Sequence, residues 1–431
     1  MKMKNDIINF INKTGNSKEF KLFLDWIHNT PPLKFALIKI SGECLENNID
    51  EIITDIAYLN KFDIYPIIVH GAGKILDKKL PNSKKKDGKR ITSKNDIKII
   101  NKIYQDISKK LMFGISKAGG QAQAIQPIFN CSKDNKYGQV GNINQVDIKS
   151  LKELVENNIT PIISPIGYNE KTNELLNINA DDAAKAIVNI TKPKKLIMLT
   201  GTGGILDKNG KIMPVINIGS KSSYKHITGG MLYKVNELIK FLNTHKWTSV
   251  VITSATGLLK EMFTIKGSGT FIKYHEISSK TTIDDDMIEN IILLLEGSFK
   301  KKVKSTYLKK LKNVNEKYSI IFENNYEGCA ITKQLSDSIF YLDKFAVHPI
   351  RQGTGLGKSI WSKLLSKYPK IMWRAKADNS FNVFYAKECD GLIKYKEWWV
   401  FWKGITLKDA MNHIDDIRSL KDTMIEPKHI K

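Results

Sequence analysis

Residues 351–359 read RQGTGLGKS, and two folds compete for them. A P-loop ATPase needs Gly, four residues, then Gly-Lys-Ser or Gly-Lys-Thr. Counting back from Gly357 puts Gln352 where the first glycine belongs. In that bend the backbone amides lie against a phosphate, and a Cβ at the first position stands in the way. The stretch is therefore not read as a P-loop. Its surroundings, YLDKFAVHPIRQGTGLGKSIWSKLL, give a strand, a turn and a helix whose first turn is rich in glycine. Unpaired N–H groups and the positive end of the helix dipole make such a start an anion site, whichever molecule bears the anion.

Around this turn, the strands YSIIFE, GCAITK, SIFYLDKFAV, KIMWRAK and EWWVFW follow one another closely after a helix, MIENIILLLEGSF. That order predicts an α+β domain on an antiparallel sheet. Upstream the grammar differs. From FALIKI at 35 to about residue 272, β-branched runs (IYPIIVH, TPIISPI, LIMLT, VVIT) alternate with helix-length amphipathic segments, which predicts a three-layer α/β domain on a mainly parallel sheet. The polar stretch 273–285, ending in acidic residues, reads as a linker followed by a helix start. Residues 7–28 have helical spacing and stop at Pro31-Pro32. The expected organisation is a helical arm (1–29), an α/β domain (30–272), the linker (273–285) and an α+β domain (286–431).

A chain of 431 residues exceeds one ordinary core. No apolar run approaches the roughly eighteen residues of a membrane helix, and the start MKMKNDIINFINK lacks the features of a secretory signal. A cytoplasmic protein without membrane attachment is expected. Cys44, Cys131, Cys329 and Cys389 show no CxxC spacing, so they read as reduced structural thiols. The net charge of +24 raises the question of nucleic acid, but only four of the 68 basic residues are Arg (Arg90, Arg351, Arg374, Arg418). Readers of phosphates and bases favour the arginine fork, so a solvated lysine surface is preferred over nucleic-acid binding. Where nearly every basic position is Lys, one that keeps Arg is a candidate for needing the planar fork.

Gln352, Gly355 and Gly357 fit Q-x-x-G-x-G, which resembles the pyrophosphate loop of GNAT-type N-acetyltransferases. The resemblance implies that the anion belongs to acetyl-CoA, held by Gln352, Gly353, Gly355, Gly357 and Lys358 beside Phe345 and Val347. YLDKFAV, WRAKADNSFNVFY and DGLIKYKEWWVFWKG resemble the transferase domain of vertebrate-type N-acetylglutamate synthases and of bacterial bifunctional synthase/kinases, over residues 286–404. This implies that Lys344, Arg374 and Asn379 hold the two carboxylates of L-glutamate, work suited to a fork and an ammonium, with Asn382 in the same motif. Lys301 matches a further substrate lysine, although the family has a small residue where Lys300 stands. Tyr385 is implied to protonate the departing thiolate while the glutamate amine attacks the thioester. On residues alone, Lys301 also reads as a solvated charge, Tyr385 as a core aromatic and Lys344 as a polar strand residue.

In the first domain, FALIKISGE (35–43) ends a strand at Lys39 before Ser41-Gly42, and IYPIIVHGAGKILD (64–77) ends another at Gly71-Ala72-Gly73. Glycine turns at the carboxyl ends of parallel strands are ligand sites. With KKKDGKRITS, LLNINADDAAKAI, LTGTGGILD and ITGGMLYKVNEL following in order, residues 30–272 resemble the amino acid kinase family, specifically N-acetylglutamate kinase. The resemblance implies that Lys39 and Lys234 neutralise a moving phosphoryl group and that Asp181 orients both. Gly42, Gly71 and Ala72 would offer backbone N–H groups, Arg90 would clamp the α-carboxylate, and Asn177 and Asn179 would hold N-acetyl-L-glutamate. Thr200, Gly201, Gly203, Gly204, Gly229 and Gly230 would line ATP, whose phosphates and water carry most of the Mg²⁺ coordination; no side chain is assigned to a metal. On residues alone Asp181 also reads as a helix cap and the lysines as surface charges, yet Lys39 interrupts an apolar run, a costly place for an unpartnered charge. Ser41, Ala72 and Lys89 depart from the family pattern; the first two add only a small side chain where backbone amides do the work.

The resemblances together imply an enzyme of arginine biosynthesis that acetylates L-glutamate and phosphorylates the product. A chain with only one of these activities, and a non-catalytic sensor of arginine or acetyl-CoA, stay open, as does a protein acetyltransferase; an aspartokinase fits the tail less well. By analogy the chain forms a homo-oligomer and responds to L-arginine.

Overall fold

The computed structural model describes residue 24 and residues 27–86, 89–125, 127–219, 227, 229–263, 267–352, 355–379 and 381–426. Most of the helical arm read at 1–29 lies outside these residues. The chain divides into two units, Met1–Tyr274 and His275–Lys431.

The first unit holds strands β1 (Ala36–Ile40), β2 (Ile67–His70), β3 (Ala122–Ile125), β4 (Phe129–Lys133), β5 (Gly141–Val146), β6 (Thr160–Ile163), β7 (Ile166–Tyr168), β8 (Leu175–Asn177), β9 (Lys195–Leu199), β10 (Val215–Asn217), β11 (Ser249–Thr253) and β12 (Thr270–Lys273). Eight of them form one sheet in the order β10-β12-β11-β9-β1-β2-β6-β3. Its pairs are parallel except β11 with β12. Every residue of β1, β2, β6, β9 and β11 is buried, as a parallel sheet covered on both faces requires. The run TPIISPI, read as one strand, is two: after Ser164-Pro165 the chain leaves the main sheet and β7 joins a second, mixed sheet ordered β8-β7-β4-β5. That sheet was not anticipated.

The second unit holds β13 (Ile277–Lys280), β14 (Tyr318–Glu323), β15 (Gly328–Gln334), β16 (Phe340–Val347), β17 (Ile371–Lys376), β18 (Gly391–Lys394) and β19 (Trp398–Lys403), in the order β13-β14-β15-β16-β17-β19-β18. All neighbours are antiparallel except β16 and β17. The stretch 273–285 is no bare linker: β13 lies in it and pairs with β14, and Asp284 caps the helix Asp285–Phe299 by accepting from the Met287 amide at 2.9 Å. A further helix, Leu407–Ser419, went unread in the sequence. Thr406 caps it and accepts from the Asp409 amide, and Ala410, Ile414 and Ile417 form its buried stripe, so the signal was a Thr-x-x-Asp cap before i, i+4, i+7 apolar spacing. All four cysteines are free; burial pushes the Cys131 and Cys329 thiols up to about 12, which keeps them protonated and inert.

Candidate active sites

In the first unit, β11, β9, β1 and β2 are consecutive parallel neighbours, so the turns after them share one edge of the sheet. Two of these turns touch backbone to backbone. A Cβ at Gly42 would stand 2.6 Å from the Gly73 nitrogen and 2.7 Å from the Ala72 carbonyl carbon; glycine is required there by close approach. The Gly71 amide donates to the Ile40 carbonyl (2.8 Å) and the Ser41 amide to that of Leu199 (3.1 Å). Two of the three departures from the family pattern, Ser41 and Ala72, find use. The Ser41 hydroxyl accepts from the Cys44 amide at 3.3 Å and caps the helix Gly42–Asn60, while the Ala72 methyl packs with Leu76, Ile97 and Tyr104.

Lys39 is 8% exposed, and its Nζ stands 2.7 Å from Asp181 Oδ1. The helix Ala180–Thr191 has another cap, Asn179, whose side chain accepts from the Asp181 amide at 2.8 Å. The Asp181 carboxylate is thereby left to the lysine. The buried Arg90 guanidinium pairs with Asp77, which also meets Lys85 at 2.8 Å. Burial pushes the Asp77 carboxyl upward, and Lys85 and Arg90 more than reverse it. Asn177 Nδ2 donates to Thr92 Oγ1 (3.2 Å), which donates to the Arg90 carbonyl (3.1 Å), so Asn177 and Arg90 are neighbours. Asn177 Oδ1 is buried and accepts no hydrogen bond from the described residues.

Gly203 has φ +68°, and Gly204 packs on Ile212 and Thr270. Beside Thr200, a Cβ at Gly201 would run into the Glu43 carboxylate, which pairs with Lys74. Glu43 and Lys74 were not singled out in the sequence, being two charges in a chain full of them. Gly229 and Gly230 open the helix Gly229–Thr244, which carries Lys234, whose side chain falls outside the described residues. His70 is wholly buried with Nε2 2.7 Å from Ser108 Oγ, and burial lowers its pKa to about 4.

In the second unit, β16 and β17 pair only across Phe340–Leu342 and Ile371–Trp373. Beyond, residues 343–347 and 374–376 do not pair with each other, and the space between them is the candidate cleft. A bulge begins the parting: Lys344 faces Ile331 and Leu342 faces Thr332, which makes Asp343 the extra residue. Gly355, with φ +81°, opens the helix Leu356–Lys367; the left-handed backbone calls for glycine. A Cβ at Gly357 would lie 3.4 Å from Val347 and 3.8 Å from the Phe345 ring, so these strand residues border the helix start. Gln352 ends the turn Pro349–Arg351, and Lys358 is exposed. Gly353 lies outside the described residues. The Tyr385 ring sits 5.6 to 5.9 Å from those of Trp361, Trp373, Phe381, Phe384 and Phe401, and burial raises its pKa above tyrosine's ordinary value.

The cations expected around this cleft are engaged within the chain. Arg374 departs from expectation: its guanidinium donates to the carbonyls of Ile417 (2.9 Å), Arg418 (2.8 Å) and Leu420 (2.6 Å) and lies 4.0 Å over the Trp398 ring. The end of the helix Leu407–Ser419 claims it, because its last carbonyls have no intrahelical partner. Lys344 Nζ pairs with Asp343 at 2.7 Å and lies 4.9 Å over Tyr307. Lys301 pairs with Glu426. Lys300, at the position small in the family, has φ +56° as the helix C-cap, which is where glycine is favoured. Asn379 accepts from the Phe381 amide at 2.9 Å, and Asn382 donates to the carbonyls of Lys376 (2.9 Å) and Ala377 (3.2 Å), which makes it a brace of the turn after β17. The other two arginines are also matched: Arg351 donates to Glu327 at 2.7 Å, and Arg418 stacks over Tyr395.

Two family models match the chain: the amino acid kinase family over residues 34–254 and the N-acetyltransferase of N-acetylglutamate synthase over 274–423. The acetylglutamate kinase of Xanthomonas campestris is 31% identical, with 93% of this chain and 96% of that one aligned. The mitochondrial N-acetylglutamate synthase of Homo sapiens is 25% identical, with 99% of this chain and 80% of that one aligned. Among solved structures, N-acetylglutamate synthase of Neisseria gonorrhoeae, complexed with coenzyme A and N-acetyl-glutamate or with coenzyme A and L-arginine, superposes with TM-scores of 0.60 and 0.61 at 16% and 17% identity. Each alignment covers 90% of this chain, with 98% and 97% of the solved chain. At that identity the likeness speaks for the fold. The chain belongs to the amino acid kinase family and carries, behind its kinase domain, the N-acetyltransferase domain of N-acetylglutamate synthase.

Proposed function

We propose that the first unit phosphorylates the side-chain carboxylate of N-acetyl-L-glutamate with ATP, and that the second acetylates the amine of L-glutamate with acetyl-CoA, two reactions of arginine biosynthesis. The observation that carries this reading is the pair of the buried Lys39 with the partly exposed Asp181 at the edge where the glycine turns converge. A surface lysine has no reason to be there, whereas an ammonium held by a carboxylate beside glycine turns is suited to the charge spread over a phosphoryl group in flight. Gly42, Gly71 and Ala72 line that edge, and the close turns leave backbone rather than side chains facing the phosphates. Lys234 is placed opposite Lys39 in this reading. Arg90 takes the α-carboxylate, Asn177 Oδ1 suits the amide N–H of an acetylamino acid, and Thr200–Gly204 with Gly229 and Gly230 receive the nucleotide; Mg²⁺ travels with its phosphates.

In the second unit the residues fit acetyl-CoA. The parting of β16 and β17 exposes strand backbone, and the helix behind Gly355 offers amides to a diphosphate. Acetyl-CoA supplies the thioester; the chain holds a proton on the Tyr385 hydroxyl, the group assigned to the departing thiolate. Lys344 and Lys301 are the cations for the carboxylates of L-glutamate, with Asn379 nearby. Arg374 acts on them indirectly, through the segment it anchors. A kinase-only reading draws on the internal pairing of these cations and differs in one assay. An L-arginine effector site, a homo-oligomer and a cytoplasmic setting complete the proposal; no helix among the described residues is long and apolar enough to cross a membrane.

The purified chain is expected to form hydroxylamine-trappable acyl phosphate from N-acetyl-L-glutamate and ATP, and to release free thiol from acetyl-CoA only when L-glutamate is present. Acyl phosphate without glutamate-dependent thiol selects the kinase-only reading. Competition between ATP and coenzyme A for one site would overturn the two-site proposal.

A further inference from the structure

After the helix Leu407–Ser419 the chain runs back across the second unit as a strap. Arg374 holds the carbonyls of Ile417, Arg418 and Leu420, and Asp422 stands 3.9 Å from the same guanidinium. The Lys304 amide donates to the Thr423 carbonyl at 3.0 Å, and Met424–Ile425 pairs antiparallel with Lys302–Val303. The strap ends with Glu426 on Lys301. It thus joins two cations that the family pattern gives to the substrate's carboxylates. The Glu426 carboxylate holds the Lys301 ammonium above its ordinary pKa, with Asp422 and Asp378 adding to it, so several anions of the chain already converge on the spot where a substrate anion is expected. Glu426 is itself a carboxylate on two methylenes, the chemistry of a glutamate side chain. Its side chain is 74% exposed and that of Lys301 32%, a pair that solvent weakens and a ligand can replace.

We infer that Glu426 is an affinity-determining residue of the acetyltransferase site: its carboxylate occupies Lys301 as an intramolecular competitor, and the carboxylate of L-glutamate displaces it on binding. The inference rests on the acetyltransferase reading above. A tethered competitor lowers apparent affinity by the fraction of molecules in which the site is free, and one partly exposed ion pair sets the size of the effect.

The test is titration calorimetry of L-glutamate into the full chain saturated with coenzyme A, for wild type, Glu426→Gln and Lys301→Met, with coenzyme A affinity as the internal reference. Glu426→Gln is expected to tighten L-glutamate about two- to fivefold, Lys301→Met to weaken it, and the double variant to lose the gain, while coenzyme A affinity does not move. If Lys301→Met weakens L-glutamate but Glu426→Gln leaves it unchanged or weaker, the competitor is overturned and the site stands. If Lys301→Met has no effect, Lys301 is not a substrate lysine and the inference falls, with the rest of the acetyltransferase reading intact. No L-glutamate binding to any of the proteins overturns both.

Discussion

Both units run a strand into a helix that opens on glycine, a geometry suited to an anion, and they differ in what they do with the nearby charge. In the kinase domain the lysine and its carboxylate partner both belong to the proposed site: Lys39 meets Asp181 at the edge where the turns meet, and Asn179 takes over the capping task that would otherwise occupy Asp181. In the acetyltransferase domain the cations are tied to the chain's own anions and carbonyls, Lys344 to Asp343, Lys301 to Glu426 and Arg374 to a helix end. A cation whose partner is part of the reaction machinery is preorganised for a transition state. One whose partner is elsewhere in the fold must either exchange it or serve as structure.

The largest expected effect tests the first half of that contrast. Lys39→Met removes the ammonium and leaves Asp181 without its lysine partner; acyl phosphate formation is expected to fall about 10²- to 10³-fold, the usual consequence of deleting one preorganised charge-stabilising group. Glutamate-dependent thiol release serves as the control and is expected to persist. A loss shared by both reactions would erase the distinction between the units.

Arg374 tests the other half. Its side chain is 6% exposed and satisfies three carbonyls, so Arg374→Ala is expected to destabilise the second unit by about 2–4 kcal/mol, as removal of a buried charged hydrogen-bonding group does. Arg374→Lys should recover little, because an ammonium cannot reproduce the fork. Thermal melting reads this directly. An unchanged melt with weaker L-glutamate binding would return Arg374 to the substrate.

How far the sequence reached follows the same division. A requirement satisfied locally leaves a mark in the chain. Gly42 must be glycine because another turn lies on it, and Lys39 stands out because a charge inside ALIKI demands a partner. The alternation of β-branched runs and amphipathic helices gives the eight-stranded sheet. The second sheet escapes, since β7 and β8 have three residues each and a hydrophobic run cannot show that it changes sheet at Ser164-Pro165. The rarity of Arg drew attention to Arg374, whose fork donates to three carbonyls, yet whether that fork meets a ligand or a helix end depends on a segment that begins at Thr406. Asp343 was invisible for a related reason: it is exceptional only as the unmatched residue of a bulge, and register is not written in one strand alone.

A pH experiment separates the units further. His70 precedes the Gly71 turn of the kinase domain, and burial lowers its pKa to about 4, against about 6.5 in an unfolded chain. Between those values the unfolded chain binds more protons than the folded one, so stability rises with pH through this window and is lost as pH falls. From pH 7 to pH 5 the loss attributable to His70 is about 2 kcal/mol. Melting followed at both pH values should show the first unit weakening more than in His70→Gln, where this component is absent. Equal pH sensitivity in the two proteins would mean that His70 is not the group responsible.

The smallest expected effect concerns two glycines of the proposed acetyl-CoA loop, which serve for different reasons. Gly355 adopts φ +81°, so Gly355→Ala is strained whatever surrounds it, by about 1–2 kcal/mol, and melting should show it with or without ligand. Gly357 is helical, and a Cβ there meets Val347 at an ordinary 3.4 Å; Gly357→Ala should leave the melt almost unchanged, since alanine is the better helix former. In the acetyl-CoA reading its cost belongs to the ligand, because the added methyl stands at the helix start beside Val347 and Phe345. Weaker coenzyme A binding is therefore expected from Gly357→Ala without loss of stability, and from Gly355→Ala together with it. If Gly357→Ala binds coenzyme A as wild type does, the diphosphate does not approach this turn, and the cleft between β16 and β17 must hold the carrier by another surface.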